Sequence, residues 1–223
     1  MSEGAEPPAG TAGFTRIQAG RRTAAGRGRS PLFELFVLGE LMNGPLHGYL
    51  LREILNRVLG PFRQLSWGAL YPLIHDLERE GLIASDTEPG AEPNQHGISN
   101  RQRHSYRLTE AGRERFHRLM REPSAYSADY PELFMIKLNL FGYIALAQQL
   151  AILQHHRAYL QIASDYLLRE QDYVANHVTL PEHERPHILR LLGYRLTVVD
   201  AELAWLDREL SRLAGAAPRA ESC

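Results

Sequence analysis

From Leu189 to Leu213 the apolar residues fall at spacings of 3, 4, 3, 4, 3, 4 and 3. Leu189, Leu192, Leu196, Val199, Leu203, Leu206, Leu210 and Leu213 thus form an unbroken a/d seam of nearly four heptads. A strand alternates with period two and would scatter these residues over both faces, so the segment must be a long helix. Upstream, Leu146, Leu153, Leu160, Leu167 and Val174 recur every seven residues, with Ile152, Tyr159, Tyr166 and Tyr173 as a second seven-residue stripe. That pattern predicts another long helix from about Ile144 to Val178. The seam near the C-terminus has two readings: it packs only against its own chain, or it also packs against a second copy. The strictness of the heptad favours the second, making the eight seam residues the expected homodimer contacts.

Composition narrows the class. With 44% hydrophobic and 23% charged residues and a formal net charge of -1, the 223-residue chain is neither collagen-like, nor wholly disordered, nor a polycation. Its one cysteine, Cys223, excludes an intrachain disulfide, a Cys-rich zinc site and a cysteine nucleophile within the fold, and it fits a reducing cytoplasm. The longest charge-free run, Leu138 to His156, contains Asn139, Gln148, Gln149, Gln154, His155 and His156 and would span a bilayer poorly. No apolar segment follows the first charges, so no secretory signal is expected. These readings give a cytoplasmic protein with no membrane partner and no cofactor.

Four segments follow. Residues 1–30, rich in Gly, Ala, Pro and Ser, carry five arginines against two glutamates and read as a disordered basic tail, with attraction to phosphates as the alternative role. Residues 31–122 begin with Ser30-Pro31, a cap followed by proline at the first helical position. An apolar helix follows, closed by Asn43-Gly44-Pro45. A second helix is predicted over about Leu46 to Leu59, and a third, capped by Ser66, from Trp67 to Glu80. Leu82 to Ser85 and His104 to Leu108 read as strands, and Thr109 opens a helix to about Arg121. Three helices followed by a two-stranded ribbon make a winged helix-turn-helix. Residues 131–214 are the expected helical dimerisation domain, and 215–223 a second tail. The fold class is therefore mainly α.

Several motifs occur in order: Gly44-Pro45-Leu46-His47-Gly48-Tyr49, Leu70-Tyr71-Pro72-Leu73-Ile74, Leu77-Glu78-Arg79-Glu80-Gly81-Leu82-Ile83, and Tyr106-Arg107-Leu108-Thr109-Glu110-Ala111-Gly112-Arg113. The series resembles the PadR family of transcriptional regulators over about Leu32 to Leu119. Ala201-Glu202-Leu203-Ala204-Trp205-Leu206 resembles a landmark of the subgroup with a virulence-activator-like helical C-terminal half. The resemblance implies a homodimeric winged-helix protein, usually a repressor, bound to an inverted-repeat operator in double-stranded DNA. It also implies a last helix in the dimer interface and, for some members, a small aromatic effector.

DNA contact needs donors for phosphates and an exposed helix for the major groove. On the third helix the candidates are Ser66, Trp67, Gly68, Tyr71 and His75, with Trp67, Tyr71 and His75 on one face at i, i+4 and i+8. Tyr71 is expected to donate to a phosphate, whereas Trp67 reads equally well as a half-buried anchor. The wing offers Asn100, Arg101, Arg103 and His104, which suit phosphates or a narrow minor groove. The helical half concentrates the aromatics Phe134, Phe141, Tyr159, Tyr166, Tyr173, Tyr194 and Trp205, of which Trp205, Tyr194, Tyr159 and Tyr166 are the effector candidates. They read either as core and dimer packing or as a cleft between dimer helices that accepts a planar molecule.

His183-Glu184-Arg185-Pro186-His187 spells a zincin motif, but that chemistry needs both histidines on one uninterrupted helix. Pro186 opposes this, so the segment reads as a helix start. His155 and His156 are adjacent and point about 100° apart on a helix, which precludes joint chelation. No phosphate loop or nucleophile elbow is present. The chain is expected to be neither an enzyme nor a metal binder. The alternative to DNA binding is a helical interaction module whose winged helix binds protein, favoured only by the near-neutral charge of the core and an acidic recognition helix.

Overall fold

The computed structural model describes residues 30–60, 66–86, 105–176 and 181–216. The elements run α1 (Pro31–Glu40), a 3-10 turn (Leu41–Asn43), β1 (Leu46–His47), α2 (Gly48–Leu59), α3 (Trp67–Arg79), β2 (Ile83–Asp86), β3 (Ser105–Leu108) and α4 (Glu110–Arg121). They continue with α5 (Tyr130–Asn139), a second 3-10 turn (Phe141–Tyr143), α6 (Leu146–Asn176) and α7 (Arg185–Ala216). The protein is mainly helical, with a winged-helix half followed by a long helical hairpin. No helix among the described residues is long and apolar enough to cross a membrane.

α1 is the hub of the first half. Leu32, Leu35, Phe36, Val37 and Leu38 are all buried, because α3, α4 and α5 pack around a helix that is apolar on nearly every side. Glu34 lies buried among them and is held by Arg115 of α4 through two hydrogen bonds of 2.7 and 3.3 Å. A buried carboxylate requires such a partner.

The second helix departs from expectation. Leu46 and His47 are not helical; they form β1, antiparallel to β3, with Leu46 opposite Tyr106 and His47 opposite Ser105. The expected two-stranded ribbon is therefore a three-stranded sheet in the order β1-β3-β2. Two residues are too few to display alternation, and their strand character comes wholly from the partner strand. Gly44, at φ +133°, and Pro45, which has no N–H, end the preceding turn and deliver the chain to that partner. β2 pairs with β3 from Ile83 opposite Leu108 to Asp86 opposite Ser105. The expected wing tip lies outside the described residues, as do residues 1–29 and 217–223, while Gly215 and Ala216, expected in the second tail, are the last two residues of α7.

A tight junction sets the sheet against the helices. Gly81 (φ +71°) follows α3; its N–H donates to Glu78 O, and that of Leu82 to Leu77 O, each at 2.9 Å. This is the Schellman closure. Thr109 then joins the two ends: its N–H donates to Leu82 O, its hydroxyl lies 2.6 Å from Gly81 O, and its Oγ1 accepts the N–H of Gly112. Gly112 approaches so closely that an added Cβ would sit 2.0 Å from Leu82 O. The Leu-Thr-Glu-Ala-Gly motif thus has a local physical cause.

In the second half α6 and α7 form an antiparallel hairpin. Leu153 and Leu160 pack with Leu206 and Leu213, while Leu167 and Val174 pack with Leu192 and Leu196. α5 bridges the two halves, since Ile136 and Leu140 belong to the winged-helix core and Phe134 to the hairpin core.

Candidate nucleic-acid interface

α2 and α3 make the helix-turn-helix pair. α2 ends at Gly60 (φ +82°), and α3 starts at Ser66, whose carbonyl accepts the N–H groups of Ala69 and Leu70 at 3.1 and 3.2 Å. The side chain of Ser66 makes no capping hydrogen bond, and neither does that of Ser30, so both expected caps act through the backbone alone. Leu70, Leu73, Ile74 and Leu77 bury one face of α3. Ser66, Gly68, Ala69, Pro72, His75 and Arg79 are left exposed on the other. Pro72, inside the helix, withholds the N–H that would bond the Gly68 carbonyl, leaving an acceptor near the helix start.

The two aromatic candidates meet. The rings of Trp67 and Tyr71 stack at 5.1 Å and 21°, and the Arg52 guanidinium of α2 sits 4.8 Å above the Trp67 ring. Trp67 is half-buried and packs against the core, so it is an anchor as well as a surface group. Tyr71 is also half-buried, and its hydroxyl oxygen is shielded from solvent. The expected donation to phosphate is therefore not presented in this arrangement. His75 is exposed, with Nδ1 3.9 Å from a Glu78 carboxylate oxygen, and Arg79 is paired with Asp76 at 2.6 Å.

Arg52 escaped the sequence reading. The cue was its place on α2, the helix that crosses beside the recognition helix in this motif. Tyr49, Arg52, Glu53, Asn56, Arg57 and Trp67 line a shallow cleft between the two helices, in which Arg57 is paired with Glu53 and the Arg52 guanidinium stands over Trp67 at the edge of the α3 surface. Asn100, Arg101, Arg103 and His104 lie outside the described residues.

The remaining candidates are in the helical half. The heptad seam faces α6 of the same chain: Leu192, Leu196, Leu206 and Leu213 are buried, and Leu189, Val199, Leu203 and Leu210 pack beside them. The seam expected to meet a second copy is thus occupied internally, because α6 offers a matching stripe a short connection away. A second stripe remains in solvent. Leu191 (56% exposed), Tyr194 (68%), Val198 (41%) and Trp205 (38%), with Ala201, are spaced 3, 4, 3 and 4. Of the expected effector residues, Tyr159 and Tyr194 share a groove between α6 and α7, whereas Tyr166 and Trp205 do not line it. Tyr159 also belongs to a cluster with Tyr126, Tyr130, His155 and His156.

The zincin-like segment has the wrong geometry. His183 and Glu184 lie in a turn, and α7 begins only at Arg185. Among the described residues no group of three or more His, Cys, Asp or Glu side chains is arranged to hold a metal ion.

Residues 37–118 match the model of the transcriptional regulator PadR-like family. Three solved structures are similar at low identity. Bacillus subtilis PadR in complex with operator DNA is 18% identical, over 82% of this chain and 99% of that one, with a TM-score of 0.36. The PadR-like regulator BC1756 from Bacillus cereus is 20% identical over 82% and 99%, with a TM-score of 0.33. The virulence activator AphA of Vibrio cholerae is 21% identical over 83% and 99%, also at 0.33. No curated protein sequence matches. The ordered motifs, the three-stranded winged helix that they build and the match over residues 37–118 agree: the chain carries a PadR-like domain and is a DNA-binding transcriptional regulator, not an enzyme.

Proposed function

We propose that the protein is a repressor that binds an inverted-repeat operator as a homodimer. The observation that carries the reading is the α3 surface, where the Arg52–Trp67–Tyr71 stack stands beside the open edge of Ser66, Gly68 and His75. Ser66, Gly68 and His75 are the base-edge candidates. Trp67 and Tyr71 hold the surface in place, and Arg52 is the phosphate contact. Arg101 and Arg103, with Asn100 and His104, add backbone contacts from the wing. A gel shift with the gene's own upstream DNA tests the reading. Specific retardation that survives competitor DNA is the expected result, and a protein that binds no DNA but retains a protein partner would replace it with the interaction-module reading.

The dimer face is the exposed stripe Leu191, Tyr194, Val198, Ala201 and Trp205. Its heptad spacing suits a helix pair. The flanking charges are basic early in α7 (Arg190, Arg195) and acidic later (Asp200, Glu202). In an antiparallel two-fold pair each half of the helix then meets the opposite charge. This assignment moves the interface from the leucine seam to the opposite side of the same helix. Residues 31–122 act as the DNA-binding unit and 131–214 as the assembly unit. Tyr159, Tyr194 and Val198 line the groove where a planar aromatic effector would sit beside that interface.

A further inference from the structure

The outward face of α3 carries a stripe that the core leaves bare. Leu70, Leu73, Ile74 and Leu77 bury one side of the helix. Gly68, Pro72, His75 and Arg79, at i, i+4, i+7 and i+11, run along the opposite side, and all four are exposed. The polar heads at the far end are engaged locally: His75 stands 3.9 Å from Glu78, and Arg79 is paired with Asp76 at 2.6 Å. At the near end, the part of a recognition helix that meets base edges, the side chains offer little. Gly68 and Ala69 have no polar side chain, and the Tyr71 hydroxyl is shielded from solvent. Beside the Ser66 hydroxyl, what faces outward there is main chain.

Pro72 alters that main chain. It lies in the interior of α3 and has no N–H for the carbonyl four residues earlier, which is that of Gly68. The proline ring also crowds this carbonyl, and solvent-side carbonyls tilt outward when their helix bond is weakened. Gly68 sets no side chain in the way: an added Cβ would meet nothing nearer than Ser66 Oγ at 3.8 Å. Glycine in open space lets the backbone come close to a partner. We propose that the Gly68 carbonyl reads one base in the major groove by accepting from its exocyclic amine, adenine N6 or cytosine N4, and that Pro72 keeps the carbonyl available. Adenine and cytosine are the two bases that present a donor in the major groove. Guanine O6 or thymine O4 would set acceptor against acceptor and leave the carbonyl unpaired. Gly68 is thus a specificity-determining residue and Pro72 a positioning residue. The inference rests on the DNA-binding reading and adds to it the chemical class of base that the helix selects.

The test uses the full chain and the upstream fragment that the gel shift retards, narrowed by footprinting to one half-site. Each base pair of the half-site is changed in turn, and affinity is read by fluorescence anisotropy for the wild type, Pro72→Ala and Gly68→Ala. Both substituted positions are exposed, alanine suits a helix interior better than proline or glycine, and circular dichroism checks the fold. At one position of the contacted strand the wild type should prefer an amine-bearing base to guanine or thymine by about tenfold, the scale of one discriminating contact. Purine in place of adenine, or pyrimidin-2-one in place of cytosine, removes only the amine and should weaken binding as much, which also shows which base is read. Pro72→Ala gives the Gly68 carbonyl a helix bond, and Gly68→Ala holds the backbone off the groove floor. Each should reduce the preference to about threefold or less while leaving affinity for unrelated DNA and its salt slope unchanged. A wild type with no amine-dependent position, or the full preference retained in either folded variant, overturns the proposal. Specific binding without amine dependence removes the Gly68 contact and leaves the regulator reading intact, whereas no specific binding at all removes both.

Discussion

At the scale of single residues, the strictest constraint is Gly112. A methyl group there would lie 2.0 Å from the Leu82 carbonyl oxygen and 2.7 Å from Leu108 Cδ1, so the Leu82 backbone itself would have to shift. Gly112→Ala should cost about 2–3 kcal/mol, the upper range for overpacking, read as a lowered denaturation midpoint with an unchanged slope. Arg52 is the second. Its guanidinium is placed by the Trp67 ring, and Arg52→Ala should weaken operator binding on all sequences and flatten the salt dependence by roughly one unit. An unchanged slope would remove Arg52 from the interface. The third is His156, 4% exposed and stacked on Phe134 at 3.6 Å. Burial, then the neighbouring His155, lowers its pKa to about 4. The unfolded chain takes up that proton near the ordinary histidine value while the fold resists it, so stability is full above pH 6.5 and falls as the pH drops toward 4. The loss is at most about 3.5 kcal/mol, from a shift of roughly two and a half units at about 1.4 kcal/mol each. Urea melts at pH 7 and 4.5 should show that loss, and His156→Phe should shrink it.

At the scale of elements, α7 carries two apolar stripes with different fates. The seam residue Leu206 is fully buried against α6, so Leu206→Ala should remove about 2–5 kcal/mol from the hairpin. Tyr194, on the opposite stripe, is exposed in the single chain. Tyr194→Asp should leave the helical content unchanged by circular dichroism and convert a dimer to a monomer by light scattering. A wild type that is already monomeric would instead show that the second stripe is merely surface. This pair of variants separates folding from assembly, which a substitution in the seam alone would confound.

At the scale of the whole molecule, α5 matters most because it belongs to both cores. Ile136 and Leu140 lock it to the winged helix, where Gly39 admits Leu140 closely, and Phe134 joins it to the hairpin. The hairpin is therefore joined to α1 and α2 through the packed side chains of α5. In a two-fold dimer, paired recognition helices read half-sites about 34 Å apart, one helical turn. Footprinting should give protected patches at that spacing. Arg101→Ala with Arg103→Ala should flatten the salt slope further, by about one unit for each lost phosphate contact.

Much of this was legible in the order of residues. Periodicity located the long helices, because a helix that buries one face must repeat its apolar residues every three to four positions. The winged helix was visible in its punctuation: Pro31, Gly44-Pro45, Gly60, Gly81 and Thr109 mark turns for local backbone reasons. Tertiary contact decided everything that depended on which surface meets which. β1 exists only because β3 offers hydrogen bonds to two residues with no pattern of their own. The leucine seam announces a helix partner but not whether that partner is α6 or a second chain, since one heptad pattern serves both. Arg52 and Trp67 are separated by the α2–α3 connection, and their stack is a product of folding. Lys137 reads in sequence as an ordinary surface cation. Only the packing of α4, α5 and α6 buries it and brings its ammonium to the Met120 and Glu122 carbonyls.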